Sequence, residues 1–294
     1  MEYFIGLDLG GSSIKAVAVT RAGELLGQAN VAFAVDGVMD WAGKTRAALS
    51  ELERARGEPA HGIGLSAPGL AAADGRSIAH LPGRMRGLEG LDWTTQLGAS
   101  QPVPVMNDAQ AALAGEVWLG AATGRSHVLL LTLGTGVGGA AMVDGRILRG
   151  WLGRAGHLGH TCLDPAGAPD VCGTPGSLEL AIGNGTIAAR SRGRFVTTHE
   201  LLAALHAGDA DAARIWHQSV QALACAIASF INLFDPQAVI VGGGIARAGA
   251  ALFTPLQQFL DPLEWRIGDR RVELLPAQLG EFAGAYGAAR QLLP

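Results

Sequence analysis

Two stretches of this chain, more than a hundred residues apart, can be laid over one another. Residues 7–27 read LDLGGSSIKAVAVTRAGELLG, and residues 131–150 read LTLGTGVGGAAMVDGRILRG. In each, a short β-prone run ends in a glycine-rich turn, a second run follows, and a further turn containing Gly leads into a third. Runs of that length broken by Gly-rich pairs specify an antiparallel meander. Two copies of one meander predict a duplicated core with a cleft between its halves. With 294 residues, 49% hydrophobic and 16% charged, the chain has ample apolar surface to build it and is not disordered.

The segments around the copies fill in an α/β order. Residues 38–55 place Val38, Trp41, Thr45, Leu49 and Leu52 at helical spacing. HGIGLSAP and PVPVMND read as strands, and AQAALAGEVWLGA follows the second as a helix. The C-terminal half is helical, interrupted by one β–turn–α unit, AVIVGGGIARAGAALF, and EFAGAYGAARQLL closes the chain. The apolar run 222–234 is too short to span a bilayer and carries Ser229 and Asn232, so it reads as a buried helix. A net charge of −4, with Lys15 and Lys44 the only lysines, excludes an electrostatic case for nucleic acid or an anionic membrane. The N-terminus has no signal-peptide pattern, and three cysteines do not make a disulfide framework; a reducing cytoplasm is expected.

Several of the turns carry chemistry. In DLGGSSIK (Asp8 to Lys15) a strand ends in a carboxylate and a tight turn offers backbone N–H groups and hydroxyls. Such a turn can hold phosphate oxygens, and the carboxylate a hydrated Mg²⁺; an ordinary hairpin is the default reading of the motif alone. GTGVGG (Gly134 to Gly139) has dinucleotide-loop spacing but continues as a hairpin rather than a helix, which leaves a phosphate-cradling turn, the echo of the first. In VMNDAQAALAGE, Asp108 follows Asn107 where a strand passes into a helix. It is either a helix cap or a general base that orients a hydroxyl for in-line attack on a γ-phosphate. The three glycines Gly242, Gly243 and Gly244 allow close backbone approach to a flat nucleotide, or only a tight β–α turn.

Residues 153–179, GRAGHLGHTCLDPAGAPDVCGTPGSLE, gather two His, two of the three Cys, two Asp and a Glu among glycines and prolines. This is the composition of a small metal loop, without a Cys-x-x-Cys.

Taken in order, DLGGSSIK, APG, ND, GTGVGG, the run from Gly159-His160 to Cys172-Gly173 and Glu179, and DPQAVIVGGGIA resemble the ROK family of bacterial sugar kinases and regulators. The resemblance spans Ile5 to about Gly287. It implies the actin-like ATPase/hexokinase (ribonuclease H-like) fold, two α/β domains with an interdomain cleft. Residues 1–116 plus 283–294 would form the smaller and 117–282 the larger. It implies Asp108 as catalytic base, with Asp8, Gly10, Gly11 and Ser12 in the first phosphate loop and Mg²⁺ held by Asp8 through water. Gly134, Thr135, Gly136 and Gly138 would make the second loop, and Gly242–Gly244 would lie beside the adenosine. Asn107, His160 and Glu179 would contact the sugar. ATP and Mg²⁺ are the expected cofactors, a homodimer the expected assembly, and the absence of a winged helix points to a kinase-type member rather than a repressor.

The chain departs from the family at three places. The family's Glu-x-Gly-His becomes His157-Leu158-Gly159-His160, which exchanges an acceptor carboxylate for an imidazole with one donor and one acceptor. Its zinc pattern, His-x9-Cys-x-Cys-x4-Cys, becomes His160, Asp170, Cys172 and Ser177; His160 and Cys172 remain, Asp170 offers a third donor, and Cys162 is off-pattern. A structural zinc wants four ligands, mainly thiolate and imidazole, so zinc is not expected. An Asn before the family's LPGW is His80, and its Trp is Arg84, followed by Arg86. These arginines are either a solvated face or a fork for an anionic substrate group. The expected activity is ATP-dependent phosphorylation of a hexose or amino-hexose hydroxyl, the 6-OH, by a glucokinase-like enzyme with an altered sugar pocket. The alternative is a non-catalytic sugar- and nucleotide-binding sensor.

Overall fold

The computed structural model describes residues 2–34, 39–81 and 85–293. In chain order the elements are β1 (Tyr3–Leu9), β2 (Ser13–Thr20), β3 (Leu25–Ala32), α1 (Asp40–Arg56), β4 (Gly62–Ala67), β5 (Leu70–Ala71), β6 (Ile78–His80), α2 (Trp93–Leu97), β7 (Val105–Asn107) and α3 (Asp108–Leu119). Then follow β8 (Val128–Leu133), β9 (Val137–Val143), β10 (Arg146–Ile147), α4 (Leu178–Ile182), α5 (Ile187–Arg190), α6 (Thr198–His206), α7 (Ala210–Phe234), β11 (Ala238–Gly242), α8 (Ala250–Leu260), β12 (Glu273–Pro276) and α9 (Ala283–Arg290). The chain divides into two compact units, Met1–Gly124 with Ile147–Ala155 and Gln278–Pro294, and Arg125–Arg146 with Gly156–Ala277. Val38, read as the first apolar position of the first helix, lies outside the described residues.

Both repeats are meanders, and the echo extends beyond them. The first sheet runs β3-β2-β1-β4-β7 and the second β10-β9-β8-β11-β12. In each, the first meander strand pairs antiparallel with the second and parallel with a later strand (β1 with β4, β8 with β11).

In the first unit, strand alternation decides which residue meets which helix. Tyr3, Ile5, Leu7 and Leu9 enter a core with Trp41, Leu49 and Leu52 of α1 and with Trp93. Phe4 faces the other way, with Val17 and Val19, onto Ala285 and Ala289 of α9. Full burial of a side chain of the Leu or Phe class is worth about 1.5–3 kcal/mol, so each face is a substantial contribution. On the α9 face the packing is closer than side chains permit. A Cβ on Gly6 would lie 1.9 Å from the Ala285 carbonyl oxygen, and one on its register partner Gly64 2.0 Å from that of Ala288. On its other side, a Cβ on Gly287 of α9 would lie 1.7 Å from the Ala111 oxygen of α3. Small residues in AGAYGAAR, and glycines opposite them, let α9 sit between the sheet and α3.

The helix α7 has one buried stripe, which includes Trp216, Leu223, Ile227 and Phe230, and an opposite face that is exposed, ending at Leu233. The run 222–234, read from the sequence as a buried helix, is buried along one stripe only; polar residues at 214, 217, 218, 221, 229 and 232 mark the solvent side of α7. No helix among the described residues is long and apolar enough to cross a membrane.

Candidate functional site

In the first unit, Asp8 sits near the end of β1 on the α9 face. A Cβ on Gly284 would lie 2.6 Å from its carboxyl carbon, so the helix backbone closes over the acid. Its register partner in β4, Ser66, donates a hydroxyl hydrogen bond to Oδ1. Burial pushes the Asp8 carboxyl up to about 6; the Ser66 bond and Lys15 oppose this, and the nearby charge of Asp108 adds to it. Asp8 and Asp108 thus belong to one electrostatic site. The turn after β1 is closed by Gly10 N–H donating to the Ser13 carbonyl at 3.0 Å; Gly11 and Ser12 are exposed on it.

The Asn107-Asp108 pair divides the two roles left open by the sequence. Asn107 is the helix cap: its Oδ1 accepts from the N–H groups of Ala109 (3.0 Å) and Gln110 (3.2 Å). Its Nδ2 donates to the Gly69 carbonyl (3.0 Å) and to Asp108 Oδ1 (2.8 Å). Asn107 is buried, whereas Asp108, the first residue of α3, is exposed and accepts through the same Oδ1 from Ala109 N–H at 2.8 Å. The capping burden falls on Asn107, and the Asp108 carboxylate is oriented by it. APG ends at this Gly69, which glycine alone fits: its φ is 101°, and a Cβ there would lie 2.6 Å from the His80 carbonyl oxygen.

In the second unit, Gly134 N–H donates to the Gly136 carbonyl at 2.9 Å and makes a tighter turn than the first. Glu179 of α4 reaches that turn: Oε2 accepts from Val137 N–H at 2.9 Å and occupies the place of a Gly136 Cβ, 2.2 Å away. Gly138 stands within β9, paired with Thr132, rather than in the turn. Gly243, with φ of 86°, lies against the end of β8, where a Cβ would meet the Leu133 oxygen at 2.4 Å. Gly134, Thr135 and Gly244 line one cavity of about 600 Å³ with Asn184, Thr198, His199, His206 and Arg247. Among the described residues no acidic side chain lines it, and the buried Thr198 hydroxyl there has no hydrogen-bond partner. Next to Asn184 in the chain, the Gly183 carbonyl accepts from Arg190 (2.8 Å), which also donates to Ser219 and whose burial lowers its pKa to about 10.

His157 and His160 flank a single 3-10 turn, Leu158–His160; a Cβ on Gly159 would lie 1.9 Å from the Val137 oxygen, so the turn lies on β9. His160 Nδ1 is 2.7 Å from Asp170 Oδ2, and its Nε2 is 3.5 Å from Cys172 Sγ. The three donor groups lie within 4.8 Å of one another and could hold a metal ion. A closed structural zinc does not fit the donor set: it offers one thiolate and one imidazole, and a carboxylate that also accepts from the N–H groups of Cys172 (2.8 Å) and Thr174 (3.0 Å). The fourth position of the zinc pattern is Ser177, fully buried beside Asp170. Burial raises the Asp170 pKa, but the groups around it, His160 first, outweigh that and hold it below the ordinary carboxylate value.

His80 ends β6, exposed, with Nδ1 3.6 Å from Glu89. Arg86 is exposed, and Arg84 lies outside the described residues. Ser66, Asn184, Arg190 and Thr198 carry no mark in the sequence: each is an ordinary polar residue whose role comes from its neighbours in the fold.

The family model described as "ROK family" matches residues 4–293. The chain is 32% identical to a glucokinase of Halalkalibacterium halodurans (97% of this chain, 93% of the relative) and 30% identical to an N-acetylmannosamine kinase of Yersinia pseudotuberculosis (97% and 96%). Its fold matches a ROK family glucokinase from Streptomyces griseus, solved in complex with glucose and AMPPNP, at a TM-score of 0.81, 26% identity and 98% coverage of both chains. The two mixed α/β sheets are those of the actin-like hexokinase fold. The chain belongs to the ROK family, homologous to glucokinases and N-acetylmannosamine kinases.

Proposed function

We propose that this protein is an ATP-dependent sugar kinase that phosphorylates the 6-hydroxyl of a hexose or amino-hexose. The observation that carries the reading is the split between Asn107 and Asp108: a buried cap holds an exposed carboxylate at a strand-to-helix junction, beside a second acid, Asp8. Asp108 takes the proton of the attacking hydroxyl as its oxygen bonds to the γ-phosphorus and the bond to ADP breaks. Asp8, ionised, meets the water shell of the Mg²⁺ that accompanies the nucleotide as substrate. The N–H groups of the two glycine turns are suited to phosphate oxygens. In the second unit, the cavity lined by Gly134, Thr135 and Gly244 is suited to the nucleoside: it has donors, a hydroxyl and no carboxylate among its described residues to repel phosphate. The glucokinase and N-acetylmannosamine kinase relatives support this substrate class.

His157, standing for the family's Glu, favours a hydroxyl pattern other than that of glucose, because it replaces two acceptor oxygens with a donor–acceptor pair. An ATP-consumption assay over hexoses, hexosamines and N-acylated amino sugars tests the reading. Turnover of at least one, with the phosphate on the 6-oxygen, is expected; ATP binding without turnover on any of them overturns it in favour of a sensor.

A further inference from the structure

The loop from Thr161 to Ser177 is closed by its own backbone. Leu178 N–H donates to Thr161, Leu163 to Gly176, Gly176 to Ala168 and Asp170 to Thr174, all at 2.8–3.0 Å. At its tip, the loop converges on one side chain. The Asp170 carboxylate is fully buried; Oδ1 receives the N–H groups of Cys172 and Thr174, and Oδ2 faces His160 Nδ1. An ionised carboxylate only accepts, so the proton between Oδ2 and Nδ1 belongs to the imidazole. The other ring nitrogen, Nε2, lies 3.5 Å from Cys172 Sγ.

We infer that Asp170, rather than a metal ion, is the centre that ties this loop, and that it is a positioning residue which holds the His160 ring by Nδ1 and so sets the direction of its Nε2 edge toward a substrate hydroxyl. The second half rests on the sugar-kinase reading above; the first does not. The position that the family pattern gives to a thiolate ligand has become an anion that collects donors directly. Three hydrogen bonds to one carboxylate supply the cross-links that several bonds to one cation would supply, and a donor set short of thiolates is no loss to such a clasp.

The test has arms that do not require turnover. In wild-type protein expressed with added zinc, elemental analysis is expected to find substoichiometric zinc, and dialysis against a chelator to leave Tm unchanged. Stoichiometric zinc whose removal lowers Tm overturns the proposal. The ¹⁵N shifts of the His160 ring are expected to show a proton on Nδ1; an unprotonated Nδ1 overturns it. Of two variants, Asp170→Asn is expected to lower Tm by roughly 5 °C and Cys172→Ala by much less, whereas a metal centre would lose as much with its thiolate. An equal loss in both overturns the clasp. Where the wild type is an active kinase, Asp170→Asn is expected to raise the sugar KM about 10- to 100-fold with the nucleotide KM unchanged, the size typical of a partner that orients a ligand histidine. A wild type inactive on every sugar overturns the kinase reading and leaves the metal, ¹⁵N and Tm results to judge the clasp.

Discussion

The two meanders are copies in topology but not in where their carboxylate comes from. In the overlay of the repeats, Asp8 falls on Thr132. The first turn has an acid in its own leading strand, bonded by Ser66 and enclosed by Gly284. The second has a neutral hydroxyl there, and its acid, Glu179, arrives from α4, 42 positions beyond the Val137 N–H that it accepts from. A strand-end acid under a helix backbone has its carboxyl raised to about 6 by burial. An acid that accepts a backbone N–H of the turn fixes the turn's shape instead. One scaffold thus yields a charged turn in one unit and a braced turn in the other.

The largest effect expected from breaking the charged side of this comparison is catalytic. Asp108→Asn should lower kcat by about 10²- to 10⁴-fold, roughly 3–5 kcal/mol of barrier. Tm should stay within a degree or two of wild type because Asn107 keeps the cap. Near-normal turnover would remove Asp108 from the base role. Next in size is a paired substitution at glycines of the two units. In Gly64→Ala the new Cβ meets the Ala288 carbonyl oxygen, backbone that cannot give way, and a loss of about 3 kcal/mol or more is expected. In Gly136→Ala the Cβ meets the end of the Glu179 side chain, which can swing aside. That variant should fold with a Tm near wild type and lose sugar affinity. Denaturant midpoints and sugar KM for the pair read the contrast directly; equal stability losses would refute it.

How much of this could be read from the sequence follows the same division. Asp8 and Asp108 are each set by a few neighbouring residues: a strand ending in a turn, or a strand passing into a helix. Local pattern exposes them. The sequence could not say which of Asn107 and Asp108 caps the helix, because both side chains can cap; the N–H groups that the buried Asn107 accepts decide it. Glu179 was legible only through the family resemblance, since its contact with the Gly136–Val137 turn joins positions far apart in the chain. Ser66 and Thr198 carried no signal at all: a hydroxyl in a strand or at a helix start is common, and only a neighbouring carboxylate or an open cavity gives it meaning. The family resemblance put Gly138 in the second phosphate loop, whereas β-pairing places it in β9.

Asp8 offers a pH-dependent test of the charged turn. Its pKa is raised in the fold from 3.8 to about 6, so folding disfavours the ionised form. The resulting penalty is absent below about pH 4, grows between 4 and 6, and is fully present above 6. Asp8→Asn should therefore stabilise the nucleotide-free protein at pH 8, by roughly 3 kcal/mol at most for a two-unit rise, with the gain closing as pH falls to 4. The same variant should lose most of its activity. In the wild type, kcat/KM for MgATP should climb as pH rises through about 6 and then level off. A variant less stable than wild type at pH 8 would show that Asp8 is held for structure rather than for charge.

The smallest effect is expected at the braced turn. Glu179→Gln keeps an oxygen that can accept from Val137 N–H but removes the charge from that bond, a difference of about 1 kcal/mol between charge-assisted and neutral hydrogen bonds. Tm should fall by only about 2–4 °C. The informative readout is the ratio of sugar KM to nucleotide KM. If Glu179 braces the turn and also faces the sugar, the sugar KM should rise several-fold while the nucleotide KM moves little. If it is a brace alone, both constants should shift together, since the turn it holds also carries Gly134 and Thr135, which line the cavity proposed for the nucleoside.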